Sequence, residues 1–302
     1  MTRSGFVAVA GRPNVGKSTL VNAIVGTKVA VTSSKPQTTR RAIRGIVTGE
    51  VEDEQWQLVL VDLPGVQRPR DALTDRMQRS VESQLTDCDG VLLVLNGQER
   101  IGAGDRFIAK LLARSSAPVV AAVNKVDLLR EAATLTALEA AASLGEEGMR
   151  LMEIFPISAR TGAGVEQITR ALVELLPEGP LLYPPAVRSD LPREHALAEL
   201  IREQALKRTR DEVPHSIEVH VEEVEEQEDI TTIKASLWVE TESQKGILIG
   251  KGGDMIRAIG SAARREIEAL VGRHVFLDLT VKVRRRWRRD DSLLDRIGIE
   301  GS

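Results

Sequence analysis

The sequence predicts a two-part α/β protein, in which a mostly parallel sheet with helices on both faces is followed by a smaller α+β unit. Three observations predict it. Short and almost continuously apolar runs alternate with helical stretches through the first part, which is typical of parallel strands buried on both faces. A proline-rich segment, residues 177–192, interrupts this pattern. Beyond it, two runs alternate apolar and polar residues, as strands covered on one face do.

The first part contains five apolar runs of strand length, rich in Val, Leu and Ile, with helical candidates between them. The predicted strands are residues 6–10, 56–62, 91–95, 118–124 and 153–158. The predicted helices are residues 17–26, 105–114 and 134–145. Because strands that alternate with helices form a parallel sheet, we expect helices on both of its faces.

The proline-rich segment holds five of the chain's twelve prolines and continues neither a helix nor a central strand. We therefore predict a domain over 1–176, a linker over 177–192 and a second domain over 193–302. The second domain begins with a helix over 193–209, followed by strands at 215–224 and 231–240, a helix, a glycine loop, a helix and a last strand at 275–287. The helix after the glycine loop is expected to bury one apolar face, formed by Ile256, Ile259, Ala263, Ile267 and Leu270.

Composition and charge exclude several classes of protein. The 302 residues include 41 Lys and Arg against 44 Asp and Glu, so a nucleic-acid or membrane partner would be engaged by a local patch. The single cysteine, Cys88, excludes an intramolecular disulfide and a cysteine-built zinc site. No run approaches the roughly 20 apolar residues that span a bilayer, and the N-terminal apolar run is too short for a signal peptide. We expect a soluble, cytoplasmic monomer.

The first glycine loop, GRPNVGKST at residues 11–19, matches G-x-x-x-x-G-K-[ST] between a predicted strand and a predicted helix. Glycines let successive backbone N–H groups point at phosphate oxygens, and the helix N-terminus favours negative charge. Lys17 is expected to neutralise the outer phosphates, and Ser18 to ligate magnesium. The alternative is an ordinary strand–helix turn that contains glycines. The predicted phosphate-loop residues are Gly11, Arg12, Pro13, Asn14, Val15, Gly16, Lys17, Ser18 and Thr19.

The segment NKVD, residues 124–127, also closes a predicted strand and predicts guanine specificity. Asp127 can accept two hydrogen bonds from the guanine edge that adenine cannot offer, and a site built to pair polar groups rejects the analogue without them. The stem of Lys125 is expected to cover the base, and Asn124 to tie the base loop to the phosphate loop. At residues 158–159, after the last predicted strand of the first part, a backbone N–H would meet the guanine oxygen. The predicted ligands are therefore GTP and GDP.

A third strand ends at Asp62, within the segment DLPG. We expect Asp62 to hold the magnesium shell through water, and Gly65 to offer its backbone N–H to the terminal phosphate. Val66 follows, where well-known small GTPases carry a glutamine that orients the attacking water. Since valine neither donates nor accepts a hydrogen bond, we expect slow intrinsic hydrolysis. The predicted nucleotide-binding residues outside the phosphate loop are Asp62, Leu63, Pro64, Gly65, Val66, Asn124, Lys125, Val126, Asp127, Ser158 and Ala159.

With GRPNVGKST, a TTR segment and NKVD, the first domain resembles translation-factor-like GTPases, which implies a P-loop GTPase fold. TTR, residues 38–40, falls where these proteins keep their first switch. The resemblance implies that Thr39 ligates magnesium when GTP is bound, although no physical argument separates it from Thr38. A polar loop before a strand stays the alternative. The predicted metal-site residues are Ser18, Thr39 and Asp62, and the predicted catalytic residues are Asn14, Lys17, Thr39 and Gly65.

Val66 cannot assist GTP hydrolysis through a hydrogen bond, and our hypothesis is that Asn14 helps to supply the missing stabilisation of charge. Its side-chain carbonyl would help to bind a potassium ion near the phosphates, in the role of an arginine finger. Related GTPases with an asparagine at this loop position behave this way. An alternative of equal weight is that Asn14 only stabilises the turn of the loop.

The second glycine loop, residues 250–253, has no Ser or Thr after its lysine and therefore no magnesium ligand. It fits G-x-x-G, which clamps the backbone of about four nucleotides in KH modules, and the order of elements is that of the type II KH fold. A plain helix–turn–helix is the alternative. The basic run at 282–289 is expected to track a phosphate backbone rather than to be only a solvated face, with the acidic residues 222–229 lying elsewhere. The predicted RNA-binding residues are Ile249, Gly250, Lys251, Gly252, Gly253, Arg284, Arg285 and Arg286.

The combination of PNVGKST, QTTR and IGKGG, with the ending WRRDDSLLDRIG, resembles the Era family of bacterial GTPases over essentially the whole chain. The resemblance implies a GTP-hydrolysing switch that binds the 3′ region of small-subunit (16S) ribosomal RNA and assists 30S subunit assembly. It also implies peripheral contact with the cytoplasmic face of the membrane. Two alternatives stay open: a membrane-associated or cell-cycle signalling GTPase, and a GTP-binding scaffold with negligible turnover.

Overall fold

The computed structural model describes residues 2–32, 39–51, 54–65, 71–210 and 213–299. The first sheet in these residues is formed by β1 (Arg3–Ala10), β2 (Ile43–Val51), β3 (Glu54–Asp62), β4 (Gly90–Asn96), β5 (Val119–Asn124) and β6 (Leu151–Pro156). Its spatial order is β2-β3-β1-β4-β5-β6. Among these strands, neighbours are parallel except β2 and β3, which are antiparallel.

Helices cover both faces of the first sheet, because successive side chains of each strand enter opposite cores. The helices are α1 (Lys17–Val25), α2 (Ala72–Asp87), α3 (Ala103–Leu112), α4 (Glu131–Ala142) and α5 (Val165–Glu174). In β1, Ala8 packs in the core that contains Val81 of α2 and Ile108 of α3. Its neighbour Val9 packs in the core that contains Leu20 of α1. The apolar runs in β1, β3, β4 and β5 are therefore strands buried on both faces, as predicted. β6 is an edge strand in which no residue is fully buried.

A second sheet consists of β7 (Glu218–Glu226), β8 (Ile230–Val239) and β9 (His274–Val283), in that order. β8 is antiparallel to β7 and parallel to β9. The helices of this part are α6 (Arg193–Arg208), α7 (Val213–Ser216), α8 (Glu242–Ile249), α9 (Asp254–Val271) and α10 (Asp291–Arg296). Ile201 of α6 and Ile259 of α9 are buried with Val219 of the sheet in one core. The predicted fold class, an α/β part followed by an α+β part, is confirmed.

Several elements differ from the sequence expectation. The predicted elements do not include β2, α2 or α5. β2 is an edge strand that ends exposed at Val51, and α2 is rich in polar residues. Leu270, predicted to be core, is 55% exposed because it lies in the last turn of α9. Ile259, Ala263 and Ile267 of the same helix are buried.

The last strand ends at Val283 instead of Trp287. Arg286 has a φ of 55°, in the left-handed region, which no strand can contain. Trp287 then turns inward: its side chain is fully buried, and Nε1 donates to the Ser216 carbonyl at 2.9 Å. The basic run is therefore a turn anchored by a buried tryptophan.

The proline-rich segment is hydrogen-bonded along the first sheet. Gln57, fully buried in β3, accepts from the N–H groups of Leu182 and Tyr183 at 2.8 Å and donates to the Tyr183 carbonyl at 2.8 Å. The Ile46 N–H of β2 donates to the Arg188 carbonyl at 2.9 Å. This connector therefore lies fixed against β2 and β3, while the division at 177–192 stays a prediction.

Candidate nucleotide site and RNA-binding loop

The phosphate loop leaves β1 and enters α1 through a turn with left-handed backbone. Gly16, which precedes the helix, has a φ of 104°, and a Cβ there would lie 2.2 Å from Asn124 Nδ2, so the position requires glycine. Asn14 has a φ of 65°, which asparagine tolerates better than most residues. Lys17 is buried, and its Nζ donates to the Gly11 carbonyl at 3.2 Å. The loop is thus a formed cradle with a cation beneath it.

Three side-chain oxygens converge beside this loop. Ser18 Oγ donates to Asp62 Oδ2 at 2.6 Å, and Thr39 Oγ1 lies 3.1 Å from the former and 3.3 Å from the latter. Asp62 is fully buried, and its Oδ1 has no hydrogen-bond partner among the described residues. Burial raises the pKa of Asp62, with Lys17 opposing the shift. A divalent cation would satisfy the second oxygen and favour the ionised carboxylate, so this donor set fits Mg²⁺.

The pocket at the phosphate loop also contains the start of the segment after β3. Leu63 packs in the core instead of lining this pocket. Thr38 and Val66, which also carry sequence predictions, lie outside the described residues. The residues that line the pocket are Pro13, Asn14, Gly16, Lys17, Ser18, Thr19, Val31, Thr32, Thr39 and Gly65.

Asn124, the last residue of β5, connects three loops. Its Nδ2 donates to the Val15 carbonyl at 2.9 Å, and its Oδ1 accepts from the N–H groups of Lys125 at 2.8 Å and Ala159 at 3.0 Å. Lys125 adds a second link, because its Nζ donates to the Asn14 carbonyl at 3.0 Å. One buried side chain therefore fixes the base loop, the phosphate loop and the 158–159 segment relative to one another.

Asp127 lies in a short 3-10 turn, and two donors hold its carboxylate. Ser158 Oγ donates to Oδ1 at 2.6 Å, and Arg160 Nη2 donates to Oδ2 at 2.5 Å. The hydrogen bond from Ser158, followed by that from Arg160, lowers the pKa of Asp127. The carboxylate is therefore an ionised acceptor at neutral pH. Because Arg160 is 71% exposed, a base can replace it at little cost.

Some groups that were expected to contact the nucleotide instead make hydrogen bonds within the protein. The Ala159 N–H donates to Asn124, and the Ser158 N–H donates to a carbonyl of the following turn at 2.9 Å, so neither faces a base. The guanidinium of Arg12 donates from Nε to Asp105 Oδ1 at 2.7 Å, which directs this side chain away from the phosphate cradle. Ser158 instead acts on the site through its hydroxyl.

The second glycine loop is an exposed 3-10 turn, Lys251–Gly253, between α8 and α9. Gly250, just before it, has a φ of 73°, and a Cβ there would lie 2.8 Å from Met255. Behind the loop, Ile259 is buried in the core of the second part. The loop therefore packs against the core of the second part on its inner side, while Lys251 faces solvent.

The predicted arginines lie in the turn after β9. Arg285 and Arg286 are exposed, whereas Arg284 is half-buried, with its guanidinium 5.8 Å from the Trp238 ring. α9 packs on β9, and the short connection at 272–273 returns the chain along it. The glycine loop at the start of α9 and the turn after β9 therefore lie at the same end of the second sheet.

The acidic segment lies mainly at the opposite end of this sheet. Its turn, residues 227–229, joins β7 to β8, and Ile230 just after it pairs with His274 at the start of β9. Glu222 is the exception, since its Oε1 accepts from Lys282 at 2.5 Å. The acidic residues therefore neutralise one end of the basic run but leave the turn after β9 uncovered.

The two parts of the chain meet through ion pairs that sequence reasoning missed. The cations come from the first part and the carboxylates from the second, except for Arg288, which lies 3.6 Å from Asp71. The sequence feature that could have indicated one of these pairs is the position of Arg40 directly after Thr39. The other pairs are Lys28–Glu203, Lys28–Glu266, Arg40–Glu218, Arg41–Glu199, Arg41–Glu218, Arg76–Asp291 and Arg76–Asp295.

The fold and the two sites define the class of protein: a P-loop GTPase domain joined to a KH domain. Residues 6–125 match the family described as "50S ribosome-binding GTPase", and residues 212–288 match the KH domain family. The GTPase Era of Carboxydothermus hydrogenoformans is 43% identical over 300 residues, which cover 98% of this chain and 97% of that protein. The GTPase Era of Mycolicibacterium paratuberculosis is 46% identical over 302 residues, which cover 98% of each. The chain belongs to the GTPase Era family and is a GTP hydrolase.

Solved structures agree over the full length. A crystal structure of Era in complex with MgGDPNP and nucleotides 1506–1542 of 16S ribosomal RNA has a TM-score of 0.93 and 34% identity, and covers 99% of this chain and 100% of that chain. A variant of Aquifex aeolicus Era bound to GDP.AlF4− has a TM-score of 0.92 and 34% identity, and covers 99% of each chain. These names give the membrane and cell-cycle alternative no support. Within the part of the chain that the structure describes, no helix has the length and apolarity needed to cross a membrane.

Proposed function

We propose that this chain is a GTP-driven switch that binds the 3′ region of 16S ribosomal RNA through its KH domain and assists maturation of the 30S subunit in the cytoplasm. The observation that carries the proposal is the agreement, over the full length of both chains, with an Era structure that contains MgGDPNP and nucleotides 1506–1542 of 16S ribosomal RNA. Two formed sites on this chain, one for each kind of ligand, support it.

In this proposal the division of labour follows the predicted domains. Residues 1–176 form the GTP-binding domain, 177–192 the linker and 193–302 the RNA-binding domain. The burial of Leu176 in a core of the first sheet and of Leu197 in the core of the second supports this division.

In the nucleotide site, the backbone of the phosphate loop cradles the triphosphate, and Lys17 exchanges its carbonyl contact for phosphate oxygens. Ser18, Thr39 and Asp62 hold Mg²⁺, which when bound neutralises charge on the phosphates. Gly65 offers its backbone N–H to the terminal phosphate. Loss of that phosphate would release Thr39 and Gly65 together, and both lie in segments that switch GTPases reorganise.

We also propose that the Asn14 side chain helps to bind a potassium ion that stabilises the developing charge. Turnover should then be at least about tenfold faster in potassium than in sodium, since one well-placed electrostatic group contributes at least that much. Asn14→Ala should remove the difference between the two salts. Equal single-turnover rates in potassium and sodium for the natural sequence would contradict this role. Asn14 would then only shape the turn of the loop, which its left-handed backbone equally suits.

On the RNA side, the exposed Lys251 loop approaches the phosphates of a single strand, and Arg285 and Arg286 extend the positive surface at the same end of the sheet. Trp287 is buried and takes no part in stacking on bases. RNA recognition therefore depends on backbone approach, charge and the aliphatic rim of the loop, which includes Ile249.

The test is capture of total RNA by the purified full-length protein, followed by sequencing, once with a non-hydrolysable GTP analogue and once with GDP. We expect enrichment of the 3′ end of 16S ribosomal RNA and a recovery that differs between the two nucleotides. Uniform coverage of 16S ribosomal RNA would contradict the RNA assignment. Specific but equal recovery with both nucleotides would contradict the switch.

A further inference from the structure

Thr39, the proposed magnesium ligand, is followed by an arginine that enters the second domain. Arg40 Nη1 donates to Glu218 Oε2 at 2.8 Å and to the Ile217 carbonyl at 2.6 Å. The side chains of Arg40 and Glu218 are 1% and 0% exposed. Glu218 is the first residue of β7. The contact therefore joins the first switch of the GTPase domain directly to the sheet of the KH domain.

Glu218 is a fixed anchor for this arginine. Burial alone would raise the pKa of Glu218, but Arg40, Arg41 and Arg202 outweigh it and lower the pKa to about 2. The carboxylate is therefore ionised at neutral pH. On its other side, the Arg40 guanidinium lies 5.3 Å from the ring of buried Trp287. The guanidinium is clamped between a carboxylate and an indole, an arrangement that leaves it little freedom.

The chain between Thr39 and the first sheet, which includes Arg40, has little slack. β2 starts at Ile43, which pairs with Asp62, so only residues 40–42 separate Thr39 from the sheet. Consecutive Cα atoms are about 3.8 Å apart, so a displacement of Arg40 by a few ångströms must carry Thr39 with it. Thr39 Oγ1 now lies 3.3 Å from Asp62 Oδ2. Such a displacement would take it out of the magnesium site, because Mg²⁺ demands near-ideal geometry.

We propose that Arg40 and Glu218 are positioning residues for GTP hydrolysis, and that the KH domain uses this pair to hold Thr39 at the magnesium site. The inference rests on the proposed role of Thr39 as a magnesium ligand. It gives the KH domain a part in the nucleotide site that is separate from RNA binding. Arg41 adds a second clamp on the same segment, since its Nη1 lies 2.9 Å from Glu199 Oε1.

A purely stabilising role explains the pair less well. A buried ion pair contributes little net stability, because desolvation of both charges offsets their attraction. What such a pair supplies is a fixed position for the atoms joined to it. Groups that orient metal ligands in this way typically change metal affinity or activity by about 10–100-fold when they are removed.

The test compares Glu218→Gln with Glu223→Gln in the full-length protein. Glu223 lies on the same strand, and its carboxylate accepts from the exposed Lys234 at 2.6 Å, so it controls for the substitution itself. The Mg²⁺ concentration for half-maximal GTP turnover should rise about tenfold or more in Glu218→Gln. Its GDP affinity should stay within about twofold of the control, because Thr39 ligates magnesium only when GTP is bound.

Arg40→Lys gives a second measurement should Glu218→Gln not fold. Lysine keeps the charge, but its single nitrogen cannot replace both Nη1, which contacts Glu218 and Ile217, and Nη2, which donates to the His215 carbonyl at 3.0 Å. We therefore expect a smaller shift in the same direction. A lower midpoint of thermal unfolding with a Mg²⁺ dependence equal to that of Glu223→Gln would overturn the inference. Thr39→Ala separates the two proposals, since an unchanged Mg²⁺ dependence in that variant would overturn the assignment of Thr39 itself.

Discussion

Asp127→Asn should lower the affinity for GTP about 100-fold or more and raise the affinity for xanthosine triphosphate. The carboxylate offers two acceptor oxygens to the ring N–H and exocyclic amine of guanine, and hydrogen bonds to a charged group contribute about 1.5–3 kcal/mol each. Asparagine replaces one acceptor with an NH₂ donor, which faces the guanine amine but pairs with the carbonyl of xanthine. Equilibrium titration with GTP and with xanthosine triphosphate measures this change in base preference.

Arg160→Gln is the matched control for this variant. It removes the same ion pair from Asp127 but leaves the carboxylate in place, and because Arg160 is 71% exposed the GTP affinity should change less than about threefold. A loss in Asp127→Asn that is equal for both nucleotides would indicate damage to the loop instead of a change in base recognition. A comparable loss in Arg160→Gln would place the recognition of guanine on the arginine.

Lys251→Ala combined with Gly252→Asp should reduce RNA affinity about 100-fold or more while GTP affinity stays unchanged. The double change removes one cation and adds one anion where the loop approaches phosphates, and two charge-assisted contacts of about 1.5–3 kcal/mol account for this loss. A Cβ at position 252 meets nothing within 4 Å. Gly252 has a φ of 59°, in the left-handed region, which aspartate enters more readily than most residues. Binding to a 16S 3′-end oligonucleotide at several salt concentrations measures the effect.

The sequence contains its own control in Lys245 and Gly246 of α8. Lys245→Ala combined with Gly246→Asp makes the same chemical change six residues earlier, and a Cβ at position 246 also meets nothing within 4 Å. We expect a much smaller loss of RNA affinity, and a salt dependence that stays steep. If both double variants lose RNA equally, general electrostatics rather than the glycine loop carries binding.

The sequence is sufficient for the parts of the site whose chemistry is local. The phosphate loop, Asp62 and Asp127 can be located because each follows an apolar strand, and parallel strands bring their carboxyl ends to one edge of a sheet. The glycine loop near Lys251 can be located because its features are also local in the sequence. Gly250 has a left-handed backbone, which favours glycine, and an amphipathic helix follows the loop.

Contacts between distant segments have no such spacing. Arg40 reads as one charge in a basic stretch, yet it is buried against a residue 178 positions away. Trp287 reads as an aromatic residue in a basic tail, yet it is fully buried beside Trp238. The N–H of Ala159 is engaged by Asn124 at 3.0 Å, which depends on how two loops meet. Each of these outcomes is set by tertiary packing and not by local preference.

The connector fixed along β2 and β3 limits how the KH domain can travel. Asp190 pairs with Arg44 at 2.9 Å, and α6 begins at Arg193, so Leu191 and Pro192 alone separate the ion pair from the helix. A span of this length reaches about 10 Å. Once the ion pairs between the two domains are broken, the RNA-binding domain can rotate about this pivot. A larger movement must also detach the connector from the sheet and break its hydrogen bonds to Gln57. Small and large movements of the RNA-binding domain would then have different free-energy costs.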